Sequence, residues 1–212
     1  MRYLIAIPCM DSVQTLFFTS MLGLNRPEGT EIAVVSSSLI YDARNQLAHR
    51  AVKYGFDRIL WLDSDMVFDH DLLLRLAADM DKGVQMVSGL YFTRKTPVEP
   101  VAFSRIYERS MPDGSSIPTV DPITRWNEDG LTEIAGCGFG CVMMSVDLIR
   151  RVANSHRLPF SPAIGFAEDL SFCLRVRDIG EKIYLDPAVQ AGHVGVTIVN
   201  ESTWLSGKKQ ED

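Results

Sequence analysis

The chain has 212 residues, 46% of them hydrophobic and 23% charged, which is enough for one sizeable core and short for two independent ones. A net charge of −6 and a pI near 5.2 leave no electrostatic footprint for a nucleic-acid backbone. The opening apolar run, Leu4 to Ile7, is shorter than a leader core and no later run is long enough to span a bilayer, so a soluble, cytoplasmic protein is expected.

Leu4 to Ile7 reads as a buried strand whose pairing Pro8 ends, because proline carries no amide hydrogen. Ser12 is placed to cap a helix from Val13 to about Leu22, and Ile32 to Val35 reads as a second buried strand running into Ser36-Ser37-Ser38. A helix from about Tyr41 to Tyr54 follows, with Ala43, Leu47, Ala48 and Ala51 inward and Gly55 as its stop. Ile59 to Leu62 is a third strand. Asp69 is expected to cap a helix from His70 to about Lys82, closed by Gly83, and Val84 to Tyr91 is the next strand.

The regular alternation stops at Thr93. From there to about Leu131 the sequence is rich in Pro, Ser, Asp and Gly, with one β-like run from Val101 to Tyr107, and reads as an acceptor-side insertion or mobile loop. Two strands flank the cluster Gly136-Cys137-Gly138-Phe139-Gly140, the second being Cys141 to Met144, and Ser145 with Asp147 opens a helix to about Ser155. A helix begins at Glu168-Asp169 and stops at Gly180, and Lys182 to Leu185 is a last strand before Gly192-His193-Val194-Gly195. The pattern predicts one α/β domain over 1–200, with halves of about 1–92 and 93–200 and a polar tail over 201–212 that frays. Cys9, Cys137, Cys141 and Cys173 form no C-x-x-C pair and lie in or beside apolar segments, as reduced core thiols do.

The chemistry gathers at Leu60-Trp61-Leu62-Asp63-Ser64-Asp65. A strand buried on both faces delivers two carboxylates at its C-terminal end, where sites form in open α/β sheets, and on an extended backbone Asp63 and Asp65 point the same way. With Asp69 taken as the helix cap, the pair has no structural task left and suits a divalent cation holding a diphosphate. A calcium loop is excluded, because Val67 and Phe68 stand where such a loop needs a ligand and a glycine. Asp63-x-Asp65-x-Val67 also looks like the first motif of haloacid-dehalogenase-type phosphatases, with Asp63 as nucleophile. In that superfamily the motif ends the first strand, whereas here two β-α units precede it.

Taken in order, Ile5-Ala6-Ile7-Pro8, Tyr41-Asp42-Ala43-Arg44-Asn45, Leu60 to Asp65, the glycine cluster, Glu168-Asp169-Leu170 through Arg175, and His193 resemble a family 2-like glycosyltransferase of the GT-A fold. The resemblance spans roughly Leu4 to Gly195. It implies a Rossmann-like, mostly parallel sheet with a mixed C-terminal part and a metal-dependent transfer from a nucleoside-diphosphate sugar, with inversion. It further implies that Pro8, Arg44, Asn45, Asp63 and Ser64 contact the nucleoside, and that Asp65, Asp63 and His193 hold Mn²⁺ or Mg²⁺. Asp169 is then the general base, with Glu168 the second choice. The acceptor is left open among a glycan, a protein, a small molecule and a nucleobase.

Each of these residues also has a plainer reading. Acids in a first helical turn are stabilised by the macrodipole, a lone histidine is commonly structural, and a solvated helix charge is the lesser reading of Arg44. The glycine cluster reads either as a tight turn or as the lining of a sugar pocket. His49, His70 and His156 read as solvated. Ser36-Ser37-Ser38 stands where many relatives place a base-reading acid, so the nucleobase is undetermined. A non-catalytic module that binds a nucleotide sugar or carbohydrate is the third function class.

Overall fold

Side chains alternate across a strand, so a strand covered on both faces feeds two cores, and the first and third strands do this here. The computed structural model describes residues 1–163, 165–195, 198–201 and 204–205. In β1 (Tyr3–Cys9) every residue is buried. Leu4 and Ala6 join one core with Ile59 and Trp61, while Ile5 and Ile7 join the other with Leu60 and Leu62.

After β1 come α1 (Thr15–Gly23), β2 (Glu31–Ser36), α2 (Ile40–Lys53), β3 (Arg58–Leu62), β4 (Met66–Phe68), α3 (Leu72–Met80) and β5 (Met86–Leu90). The second half contributes β6 (Ala102–Ser110), β7 (Ser116–Pro122), β8 (Thr132–Ile134), β9 (Gly136–Cys137), β10 (Cys141–Ser145), α4 (Val146–Ser155), α5 (Glu168–Asp178), β11 (Ile183–Val194) and β12 (Ile198–Val199). Among the described residues the main sheet runs β12-β11-β5-β10-β3-β1-β2, with β4 and β8 paired to β11. β2, β1, β3, β5 and the start of β11 run one way, and β10 is inserted antiparallel between β3 and β5. α2, α4 and α5 supply Leu47, Val152 and Phe172 to one core; α1 and α3 supply Phe17 and Leu76 to the other. The C-terminal ends of β1 and β3 therefore open on one side of the sheet, as the sequence suggests.

The helix stops fall where expected: Gly55 and Gly180 take positive φ just beyond α2 and α5, a conformation that costs a glycine nothing. Ser145 caps α4, its Oγ accepting from the amide of Leu148 at 3.0 Å. All four cysteines are buried free thiols.

Several expectations are corrected. β1 continues through Pro8, which pairs with Val35; beyond Ala6 only β2 still borders β1, so one side is open to a residue lacking an amide hydrogen. Ser12 does not cap α1. Its hydroxyl turns to Asp11, and the helix starts at Thr15 after the Gln14 amide is taken by the Ser64 carbonyl at 3.0 Å. β2 is an edge strand, and Ile32 and Val34 are exposed. Asp69 caps nothing with its side chain: β4 forms first, and α3 starts at Leu72 with only the Asp69 carbonyl accepting its amide.

Part of the stretch over 93–131 is regular: β6 and β7 form an antiparallel hairpin that pairs with β9 as a second, three-stranded sheet. The last strand is far longer than Lys182 to Leu185. β11 runs through an irregularity between Asp186 and Gln190 and goes on to carry His193 beside Met66 of β4. Within the expected frayed tail, Trp204 is buried and packs on Phe92 and Trp126; residues 206–212 lie outside the described residues.

Candidate active site

At the end of β3 the backbone turns at once, with the Met66 amide bonded to the Asp63 carbonyl at 3.2 Å. Asp63 and Asp65 thus leave the strand in different directions instead of sharing one face of an extended segment. The Asp63 amide is held by the Gly140 carbonyl at 3.2 Å, and the Asp63 carboxylate accepts from Arg44 Nη2 at 2.8 Å.

Arg44 is neither a solvated helix charge nor open to a nucleoside. It belongs to the inward face of α2 with Ala43, Leu47 and Ala48, is 2% exposed, and lies over the rings of Trp61 and Phe139 at 5.6 and 5.3 Å. Its Nε donates to Glu168 Oε1 at 3.0 Å, so one guanidinium ties the end of β3 to the start of α5. Nη1 is buried without a hydrogen-bond partner among the described residues. Burial works against the cation, but Asp63 and Glu168 outweigh it and raise its pKa. For Asp63 the balance is reversed. Burial pushes its carboxyl up, Arg44 pulls it down, Asp65 pushes it up again, and the net shift is upward although a third of the side chain meets solvent.

Asp169 stands beside Glu168 at the head of α5, yet among the described residues it has no ion-pair partner. Its Oδ1 accepts the amide of Leu170 at 2.7 Å. Burial and the neighbouring Glu168 charge push its pKa up to about 6. Oδ2 lies 3.5 Å from where a β-carbon on Gly138 would stand. That β-carbon would also be 2.3 Å from Tyr91 Oη and 2.7 Å from Val101 Cγ1, so the glycine cluster is a close-packed turn at the edge of the site.

Asp65 is the centre of a second group. Its Oδ2 lies 2.9 Å from Arg94 Nη1 and 3.5 Å from His193 Nε2. His193 Nδ1 is 3.0 Å from the Phe92 carbonyl, an acceptor only, so Nδ1 carries the hydrogen and Nε2 faces Asp65. Burial acts to raise Asp65, but His193 and Arg94 outweigh it and hold the carboxyl below its ordinary value. The backbone joins in as well: the Val194 amide donates to the Asp65 carbonyl at 2.8 Å. Tyr91 connects the two groups. Its hydroxyl accepts the Gly140 amide at 3.0 Å and its ring meets His193 edge-on at 5.9 Å.

The structure therefore brings together Arg44, Asp63, Asp65, Glu168, Asp169 and His193, and places the remaining expected residues differently. Asn45 faces away: Nδ2 donates to the Tyr41 carbonyl and Oδ1 accepts from the Phe160 amide, on a cleft of about 510 Å³ between α2 and α4 that includes none of the six. Pro8 is buried in β1, and Ser64 uses its carbonyl to hold Gln14. Sequence reasoning passed over Arg94 and Tyr91. The available signal was position, since both sit just past β5, at the same end of the sheet as Asp63.

Among the described residues no three His, Cys, Asp or Glu side chains converge on a metal by themselves. Asp65 and His193 offer one carboxylate oxygen and one imidazole nitrogen. The carboxylate oxygen is a donor of the kind Mn²⁺ and Mg²⁺ take, and the imidazole nitrogen is a softer donor that Mg²⁺ favours less; either ion would complete its shell with phosphate oxygens and water.

No protein-family model and no curated protein matches the sequence. Solved structures do. A197 from STIV superposes with a TM-score of 0.67 at 19% identity, over 92% of this chain and 86% of that one. Residues 1–349 of TarS from S. aureus superpose with a TM-score of 0.54 at 12% identity, and the same protein in complex with UDP-GlcNAc does so at 13%. This chain spans 58% and 56% of those two chains, which cover 87% of it. At such identities the likeness establishes architecture: the chain has an α/β fold of the GT-A type, with a mostly parallel central sheet flanked by helices.

Proposed function

We propose that this protein is a glycosyltransferase that moves a sugar from a nucleoside diphosphate to an acceptor hydroxyl. The observation that carries the reading is the unequal treatment of four neighbouring carboxylates. Glu168 and Asp63 share the Arg44 guanidinium, Asp65 is paired with Arg94 beside His193, and Asp169 alone of the four has no ion-pair partner among the described residues and a pKa pushed up to about 6. A carboxylate so poised is a proton acceptor at neutral pH.

In the proposed reaction the acceptor oxygen bonds to the anomeric carbon as its proton passes to Asp169, and the sugar–phosphate bond breaks on the opposite face, with inversion. Asp65 and His193 would hold Mn²⁺ or Mg²⁺, which when bound supplies positive charge for the departing diphosphate. Asp63 and Ser64 border the ribose side, and Arg44 acts indirectly, by fixing Asp63 and Glu168. A phosphatase reading would need Asp63 free to attack phosphorus, and its carboxylate is instead held by Arg44 at 2.8 Å. The TarS complex makes UDP-GlcNAc the natural first probe.

The test is a thermal-shift panel of UDP, GDP and their sugars with and without Mn²⁺, followed by an assay of nucleotide release. A cation-dependent rise in Tm for one nucleotide, abolished in Asp65→Asn, is expected. Stabilisation without release or transfer under any acceptor would point to the binding module, and no stabilisation by any nucleotide would sink the proposal.

A further inference from the structure

Arg94 belongs to neither core nor helix. It stands on the segment between β5 and β6, where the Thr93 amide donates to the Glu99 carbonyl at 2.8 Å and closes a loop around it. Its side chain is 47% exposed, yet one nitrogen, Nη1, reaches inward to two acceptors, Asp65 Oδ2 at 2.9 Å and the Val194 carbonyl at 3.1 Å. The Asp65 side chain is only 20% exposed, so the arginine occupies the carboxylate oxygen nearest to His193 Nε2.

We infer that Arg94 is an internal counter-ion of Asp65 which must leave when a divalent cation binds, and which then takes up the phosphate charge that the cation brings. This rests on the metal reading given above. A metal bound to the same oxygen and to His193 would stand against the guanidinium, and two cations cannot share that position without strong repulsion. The side chain is long and half exposed, and its fork of donors matches a phosphate better than a single carboxylate oxygen. Metal alone is therefore opposed by Arg94, whereas metal with a nucleoside diphosphate gives the displaced arginine a new partner. The two ligands are coupled through one residue.

Mn²⁺ binding read from the free-ion EPR signal tests this without any turnover, using wild type, Arg94→Gln, Asp65→Asn and, as a control for net charge, the exposed Arg26→Gln. Without nucleotide, Arg94→Gln is expected to bind Mn²⁺ about two- to fivefold more tightly than wild type, roughly the value of losing a half-exposed ion pair. With saturating Mn²⁺, its affinity for UDP is expected to fall by about tenfold. If UDP-assisted Mn²⁺ binding occurs in wild type and is lost in Asp65→Asn, the metal reading stands. An unchanged Mn²⁺ affinity in Arg94→Gln then overturns the counter-ion role alone, and an unchanged UDP affinity overturns the phosphate contact. If no variant takes up Mn²⁺ even with UDP, the metal reading fails and the inference with it.

Discussion

Replacing Arg44 by methionine keeps an apolar stem against Trp61 and Phe139 and removes the charge. The Arg44 side chain is 3% exposed, that of Glu168 9% and that of Asp63 33%, so the variant leaves one nearly buried and one partly solvated carboxylate without a counter-ion. Removing one partner of a buried pair costs about 3–5 kcal/mol. Asp63 meets water and adds little, so the low end applies, and a loss of about 3 kcal/mol at pH 7.5 is expected. For a domain of this size that is about 6–12 °C in Tm. The deficit should shrink as pH falls, because the folded variant relieves its unpaired carboxylate by taking up a proton that the unfolded chain does not need. Urea unfolding at pH 7.5 and 5.0 measures both quantities, and Arg44→Met combined with Glu168→Gln should recover much of the loss. A deficit below about 1 kcal/mol that is equal at both pH values would refute the view of Arg44 as the buried tie between β3 and α5.

Asp169→Asn should separate stability from catalysis. With a folded pKa near 6 against about 3.9 unfolded, ionising Asp169 opposes folding; the penalty is absent below pH 4 and complete above about pH 7. The variant should match wild type at pH 4, exceed it by about 1–3 kcal/mol at pH 8, and lose about 10²-fold or more in sugar transfer with donor affinity kept; calorimetry and kcat beside donor Kd check the three. Gly138→Ala would drive a methyl into Tyr91 Oη and Val101, so a loss of about 1–3 kcal/mol is expected from overpacking, read by urea unfolding; an unchanged midpoint would show that the turn gives way.

Local signals carried much of the architecture. Unbroken apolar runs marked β1 and β3, helical spacing marked α2 and α3, and Ser145 marked its own cap. What stayed hidden depends on where an element ends up. Ile32 and Val34 have the same composition on an exposed edge as in a core, and the Ser/Pro-rich stretch of β7 has no alternation until β6 lies beside it. Arg44 and Glu168 meet across 124 residues, and nothing near either one announces the pair. His193 was legible as a candidate, but the strand that carries it was not, because Pro187 and the irregular pairing around it break the apolar pattern.

The distribution of charge at the site leads to a further constraint on how a donor would be received. Among the described residues Asp63, Asp65, Glu168 and Asp169 face the two guanidinium groups of Arg44 and Arg94, so leaving His193 out of the count the site carries a formal charge of about −2 once Asp169 ionises. A bare diphosphate meets that charge unfavourably, and the two arginines are already committed. If Asp65 and His193 hold a divalent cation as proposed, both sides of the balance would change: the approaching phosphates would be neutralised and Arg94 would be released to help them. Taken alone such a cation would lower the cost of ionising Asp169, whose raised pKa comes from burial and from the Glu168 charge, but the diphosphate it arrives with carries about as much charge of the opposite sign. The charges of donor and metal arriving together nearly cancel, so the apparent pKa governing turnover should stay close to the value of about 6 set by burial and Glu168.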